Sequence, residues 1–393
     1  MSRTVALLAL SGVVSHALAR STYPILLPAI EEELLANHQQ SGLLTTINFG
    51  AYMAAVALVT SIGGRFELAR ILRVGLLTAG IGFVVLAAAD DFASLAVGQA
   101  LAGVGSAGIW MTAPVIATAS VAANRRGTVM GLLSSTMGIG IIASSQGTRA
   151  VRALADDDRI WRPTWVGAAL FAVVVLAAMI VALRAPATAS IAGGISLERL
   201  RAVPGWLALT IGYVLSGLVV SSFTPFFGAA LEEVGFSRSH VANLYSLFGL
   251  AAVFGAVSFG RISDRVGRRP VLFGAMVVVS TASALVLTGR EPYATVAALL
   301  FGAASFTFPV LVAAYLSDHL KDRAFANALG ALTLIYGVAL LTGPFVAGTV
   351  GDSTLGFEAV FIGLTCCSLL AALAIHAVPA DAEAVSTAPS PST

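Results

Sequence analysis

Gly260-Arg261-Ile262-Ser263-Asp264-Arg265-Val266-Gly267-Arg268-Arg269-Pro270 decides how this chain is read. The eleven residues hold four arginines and one acid, and apolar runs at about 240–259 and 270–289 flank them. A short charged segment between two runs of roughly 20 apolar residues is a loop joining two bilayer-crossing helices. Gly267 permits a tight turn. Arg265, Arg268 and Arg269 hold such a loop at an anionic membrane face. Asp264, at a helix end, can pair with an arginine or with a neighbouring helix N-terminus. Charge alone would mark any topogenic loop, but Asp264 set between Gly260 and Gly267 is more than charge requires.

Composition agrees outside the loop. Of 393 residues only 11% are charged and 58% are apolar, where soluble domains carry about 25% and 45–50%. Bilayer is therefore the expected solvent, and disorder or a disulfide scaffold is excluded. Twelve apolar stretches are long enough to cross: about 5–30, 41–62, 71–89, 92–118, 127–147, 163–184, 204–230, 240–259, 270–289, 293–316, 325–350 and 356–378. The N-terminus mimics a signal peptide through Arg3 and Ala17-Leu18-Ala19, but its apolar run continues through Pro28, so a retained span is expected. The domains read as a six-helix bundle over 1–184, a linker over 185–203, a second six-helix bundle over 204–378 and a disordered tail over 379–393.

Basic residues near span ends set the orientation. With the N-terminus cytoplasmic, fifteen lie inside and six outside, and Arg20 lies within the first span. Both termini are then cytoplasmic. The formal net charge of +2 separates into +8 inside, −7 outside and +1 in the membrane.

The halves repeat weakly. Ser21–Glu32 and Ser222–Glu233 end the first and seventh spans 201 residues apart and share Pro24/Pro225 and the closing Glu pair. An even number of spans per repeat makes the halves parallel.

The quoted loop closely resembles the G-x-x-x-D-R-x-G-R-R/K signature of the major facilitator superfamily. Arg20–Pro28, Ser41–Tyr52 and Gly337–Asp352, with Gly343-Pro344 and Gly348, resemble its bacterial YbfB/YjiJ-type branch, so that the likeness covers nearly the whole chain. The resemblance implies an all-α integral membrane fold of two pseudo-symmetric six-helix bundles, alternating access, and a loop (Gly260, Asp264, Arg265, Gly267, Arg268, Arg269) that latches the cytoplasmic side. Departures are informative. The N-terminal copy of the motif, Ser61 to Arg70, has Arg65 in the aspartate position, which puts a two-sided latch in doubt. Ala19-Arg20-Ser21 stands where the branch has Gly-Arg-Phe. Gln99, in Gln99-Ala100-Leu101-Ala102-Gly103-Val104-Gly105, stands where many proton-coupled members have arginine. The Gly-Pro pattern of antiporters is missing from span five, which has Met137-Gly138-Ile139-Gly140.

In this fold substrate binds near the midplane between the halves. Arg20 lies roughly 22 Å into the first span at 1.5 Å per residue, where a charge costs about 2.5–3.5 kcal/mol. It is expected to hold an anionic substrate group, with His16, one helical turn earlier, as a proton-sensitive neighbour. The plainer alternative is outward snorkelling or helix bracing. Thr45, Asn48 and Tyr52 share a face of span two. Asn48, Tyr52, Trp110, Tyr213, Asn243 and Tyr336 are further substrate-binding candidates, each equally suited to helix packing. Phe306, Thr307 and Phe308 precede Pro309, where span ten is expected to kink.

Other chemistry finds little support. There is no P-loop sequence and only one lysine, Lys321. The five histidines are scattered, Cys366 and Cys367 are adjacent, and no G-x-S-x-G motif occurs, so neither a metal site, a cofactor nor a catalytic triad is expected. The expected function is secondary transport of a small organic solute, an anion by virtue of Arg20, across the cytoplasmic membrane, with a coupling proton and no nucleic acid as partner, by a monomer in the bilayer. Export of amphipathic drugs, or a transporter-like sensor that moves nothing, are the alternatives; a membrane enzyme comes last.

Overall fold

A computed structural model describes residues 3–62, 65–122, 126–155, 161–183, 195–320 and 322–379. Among these, twelve long helices follow one another. They are α1 (Arg3–Leu34), α2 (His38–Ile62), α3 (Leu68–Ala87), α4 (Phe92–Ala119), α5 (Arg126–Ala155), α6 (Trp161–Ala182), α7 (Trp206–Glu233), α8 (Arg238–Val266), α9 (Arg268–Val286), α10 (Tyr293–His319), α11 (Asp322–Gly351) and α12 (Gly356–His376). A short helix, Leu197–Arg201, precedes α7. Among the described residues, eleven helices are long and apolar enough to cross a membrane by length and composition. The C-terminal half of α5 carries Gln146, Arg149 and Arg152, and this helix packs along α8 for much of its length. Most of the expected linker (185–194) and nearly all of the expected tail (380–393) lie outside the described residues.

The helix boundaries have local causes. Asp91 caps α4: Ser94 N–H donates to Asp91 Oδ1 at 2.8 Å, while Asp91 N–H donates to Ser94 Oγ. The Ser94 hydroxyl, which also donates to Asp91 Oδ1, and the Ser94 N–H hold the Asp91 carboxyl below the usual carboxylate range. Ser237 accepts from His240 N–H and opens α8. Between α8 and α9 the chain turns on Gly267 at φ 92°, a backbone conformation side chains disfavour. Pro309 breaks α10: it lacks an N–H for the Ser305 carbonyl and crowds it, and the helix is interrupted at Phe306.

Helices α1–α6 pack among themselves, as do α7–α12; α2 with α11 and α5 with α8 are the main seams between the two bundles. The halves repeat in detail. Arg73 on α3 donates to the carbonyls of Met179 and Leu183 at the end of α6. Arg269, at the start of α9, donates to the His376 carbonyl at the end of α12. Both place a cation on a helix C-terminus. Glycine sets the α5–α8 seam: a Cβ on Gly249 would stand 2.7 Å from the Gly138 carbonyl oxygen. Two helices cross here at backbone distance, as small residues allow in a membrane.

Apolar side chains point outward as well as inward. Leu170, Val174 and Val181 on α6 and Leu370 and Leu373 on α12 are exposed, Val181 at 82%. So much exposed hydrocarbon marks a lipid-facing surface. Cys366 on α12 is exposed as well. Successive crossings put the Asp264 loop at one end of the molecule, the motif end. Glu31–Glu33, Arg238 and Asp352 lie at the other, the acidic end.

Candidate functional site

Between the bundles lies a cavity of about 350 Å³. It takes side chains from α1, α2, α4 and α5 on one side and α7, α8, α10 and α11 on the other. Pocket volumes of 300–1,000 Å³ suit small organic ligands.

Helix α1 carries the cavity's charge on an unusual backbone. From Val13 to Ser21 it winds as a π-helix. Thr22 N–H reaches back five residues to the Ala17 carbonyl, and Ser21 Oγ donates to the His16 carbonyl at 3.1 Å. Pro24 follows, with no N–H for the Arg20 carbonyl, so the regular ladder is already broken here. π-Helical turns recur at functional sites. His16 and Arg20, four residues apart, both line the cavity.

The Arg20 guanidinium lies over the Tyr52 ring, its carbon 3.8 Å from the centroid, with Phe49 at 5.3 Å. Its Nε and Nη2 are buried without a hydrogen-bond partner. His16 is only 7% exposed, and neither ring nitrogen has a partner. Its ring meets the edge of Trp110 at 4.0 Å between centroids, 76° apart. Among the described residues no carboxylate lines the cavity. A guanidinium and an imidazole thus stand in an apolar setting with donor capacity unused.

The opposite wall is aromatic. Tyr213 on α7 and Tyr336 on α11 stack at 4.1 Å and 14°. Tyr336 fits beside α7 because Gly217 has no side chain; a Cβ there would stand 2.5 Å from its ring. Phe306, at the break in α10, lines the cavity and stacks on Phe248 at 5.7 Å.

Six of the eight candidate substrate-binding residues therefore line one cavity: His16, Arg20, Tyr52, Trp110, Tyr213 and Tyr336. Asn48 and Asn243 do not. The Asn48 amide nitrogen donates to the Ala19 carbonyl, the Gln99 carbonyl and Gln99 Oε1 at 3.0–3.1 Å, tying α1, α2 and α4 together. Asn243 Oδ1 faces Gln146 Nε2 across the α5–α8 seam at 3.4 Å. The charged motif makes bonds within its own bundle. Arg268 donates to Asp264 at 2.5 Å and to Asp318 on α10 at 3.1 Å, and Ser263 Oγ also accepts from it.

Sequence reasoning missed the closure of the acidic end. Asp352, just beyond α11, accepts from the backbone N–H groups of His38 (2.8 Å) and Gln39 (2.6 Å) at the start of α2. His38 pairs with Glu31 at 2.8 Å in its own bundle and Glu233 at 3.5 Å in the other. Arg238 on α8 bridges Glu232 on α7 and Glu32 on α1. The acidic clusters ending α1 and α7 were visible, but their partners come from distant segments.

The sequence model of the family described as "Uncharacterised MFS-type transporter YbfB" matches residues 13–378. Among characterised or catalogued relatives, a bicyclomycin resistance protein homolog of Haemophilus influenzae is 28% identical over 171 residues, 42% of each chain. The class C tetracycline resistance protein of Escherichia coli is 26% identical over 150 residues, 37% of each chain. The chain thus aligns with only about two fifths of the length of these relatives. Solved structures match almost end to end. A bacterial homologue of the human lysosomal transporter Spinster, inward-facing and unoccupied, superposes with a TM-score of 0.72 at 16% identity, over 95% of this chain and 94% of that one. A mutant of the nucleoside transporter NupG gives 0.76 at 12%, over 95% and 99%.

Proposed function

The chain belongs to the YbfB-type family of major facilitator transporters, and from that premise we propose that it moves a small organic anion across the cytoplasmic membrane by alternating access. The observation that carries this reading is Arg20: a guanidinium in the cavity between the bundles, with two buried nitrogens unpartnered and, among the described residues, no carboxylate in the lining. A buried charge of this kind is costly unless something neutralises it, and a substrate carboxylate or sulfonate would do so through charge-assisted hydrogen bonds. The excess of basic residues near the motif end supports a cytoplasmic location for that end and for both termini. The bonds of Asp352, His38 and Arg238 then hold the outer side closed. The bundles would rock on the α2–α11 and α5–α8 seams, and the chain would work as a monomer.

The test is counterflow in proteoliposomes with labelled organic anions. Arg20→Ala should lower anion exchange by about 10- to 100-fold, the equivalent of roughly 1.5–3 kcal/mol for a hydrogen bond to a charged group. A folded Arg20→Ala protein that exchanges anions at the wild-type rate removes the reading.

His16 is the proposed proton partner. The titratable groups sharing its cavity are Arg20, Tyr52, Tyr213 and Tyr336, so imidazole is the group whose ordinary pKa lies nearest neutrality. His16→Gln, which keeps an N–H donor toward the substrate, should abolish the dependence of uptake on a pH gradient. Retained gradient dependence would exclude His16 as the carrier.

A second reading, export of amphipathic drugs, draws on the aromatic lining and on the bicyclomycin and tetracycline resistance relatives. It predicts exchange of uncharged or cationic compounds that Arg20→Ala leaves intact. A sensor would bind ligand without exchange.

A further inference from the structure

We propose that the anion this cavity accepts is aromatic: a flat ring carrying one carboxylate or sulfonate, held by Arg20 and His16 at its acidic group and by ring faces from both bundles along its body. The proposal rests on the anion reading above and narrows it to a chemical class.

Two observations lead there independently. The polar capacity of the cavity is concentrated on α1. Arg20 Nε and Nη2 and both nitrogens of His16 are buried and unpartnered, and both side chains face the same space. Buried donors without acceptors are costly, and one group with two or three acceptor oxygens could meet both side chains at once. An acidic head fits that requirement, and a single such head uses all the positive charge available.

The rest of the lining selects the body. Tyr52 and Phe49 lie beneath the Arg20 guanidinium, Trp110 lies beside His16, and the Tyr213–Tyr336 stack and Phe306 lie on the facing bundle. Aromatic side chains thus approach from α2 and α4 on one side and α7, α10 and α11 on the other. Aromatic faces and edges prefer another ring to a saturated chain of equal area, through offset or edge-to-face contact. The guanidinium already lies on a ring face, where a cation is favoured, so an incoming aromatic acid extends an existing arrangement. An aliphatic acid such as acetate would satisfy α1 and leave the facing wall unused.

The test is titration calorimetry of the full-length protein in detergent with three matched probes. Benzenesulfonate has both ring and charge, cyclohexanesulfonate has charge without a flat ring, and benzenesulfonamide has the ring without charge. Benzenesulfonate should bind at least tenfold more tightly than either control, a difference of about 1.4 kcal/mol. Tyr336→Leu and Tyr213→Leu should lower benzenesulfonate affinity by more than they lower cyclohexanesulfonate affinity. Equal affinity for the two sulfonates overturns the aromatic proposal and leaves the anion reading standing. If benzenesulfonamide binds as tightly as benzenesulfonate, or if no probe binds more tightly than about 1 mM, the anion reading falls and this proposal with it. The comparison on the unaltered protein decides the matter even where a tyrosine variant does not fold.

Discussion

In the N-terminal bundle Gly103 on α4 lies against the carbonyl of Asn48 on α2; in the C-terminal bundle Gly302 on α10 lies against the carbonyl of Phe248 on α8. The two crossings share a backbone and differ in what the facing residue does next. Asn48 sends its amide to three acceptors on α1 and α4. Phe248 stacks on Phe306, meets Phe301 edge-on at 5.5 Å, and through Phe301 joins Phe223, whose ring lies 3.6 Å away. At this crossing the first half uses directional hydrogen bonds and the second uses ring contacts. The difference follows the cavity: the polar half presents Arg20 and His16, and the aromatic half presents the Tyr213–Tyr336 stack. Pseudo-symmetry of the helices therefore does not extend to their chemistry.

Substitutions can break this comparison at three depths. The shared crossing should be the most sensitive. A leucine at Gly103 or at Gly302 would overlap the facing carbonyl, and helix backbones cannot part without losing the contacts that hold a membrane bundle together. Both Gly103→Leu and Gly302→Leu should abolish the monodisperse peak in size-exclusion chromatography. If only one does, the crossings are not equivalent. Next comes the aromatic half. Phe248→Ala removes a fully buried ring and should lower stability by about 3–5 kcal/mol, read as a large fall in thermal midpoint in detergent. The smallest effect is expected in the polar half. Asn48→Ala leaves two carbonyls and Gln99 Oε1 short of a donor, a loss of about 1–3 kcal/mol for the group as a whole. The midpoint should fall by less than for Phe248→Ala; the reverse order would mean the amide network, not ring packing, dominates.

Much of the fold was legible because a bilayer imposes a simple code. Twelve apolar runs became twelve helices, and the break in α10 falls where Pro309 removes a donor. Helix α5 turns a polar residue toward another helix: Gln146 reaches Ser246 on α8 at 2.6 Å. Arg20 announced the cavity because a charge at that depth needs a reason. The aromatic candidates Tyr52, Trp110, Tyr213 and Tyr336 lie in it as well. Asn48 and Asn243 show the limit. An amide in a membrane helix can meet a ligand or another helix, and only the position of the partner helix decides. The π-helical stretch of α1 left no pattern in apolar periodicity, since it shifts hydrogen bonds by one residue without changing which residues are apolar. The closure of the acidic end depends on residues about 300 positions apart, such as His38 and Asp352. No local signal carries such a pairing.

That closure has a consequence for how sequence variation bears on the two bundles. On the α2 side, what Asp352 grips is main chain, the N–H groups of His38 and Gln39. Every amino acid except proline supplies that donor. Drift at these two positions can change the His38 pairings and still keep the grip of Asp352. On the α11 side the acceptor is one carboxylate, and a single codon can delete it. The clasp is thus tolerant of mutation in one bundle and brittle in the other, with its genetic vulnerability gathered on Asp352.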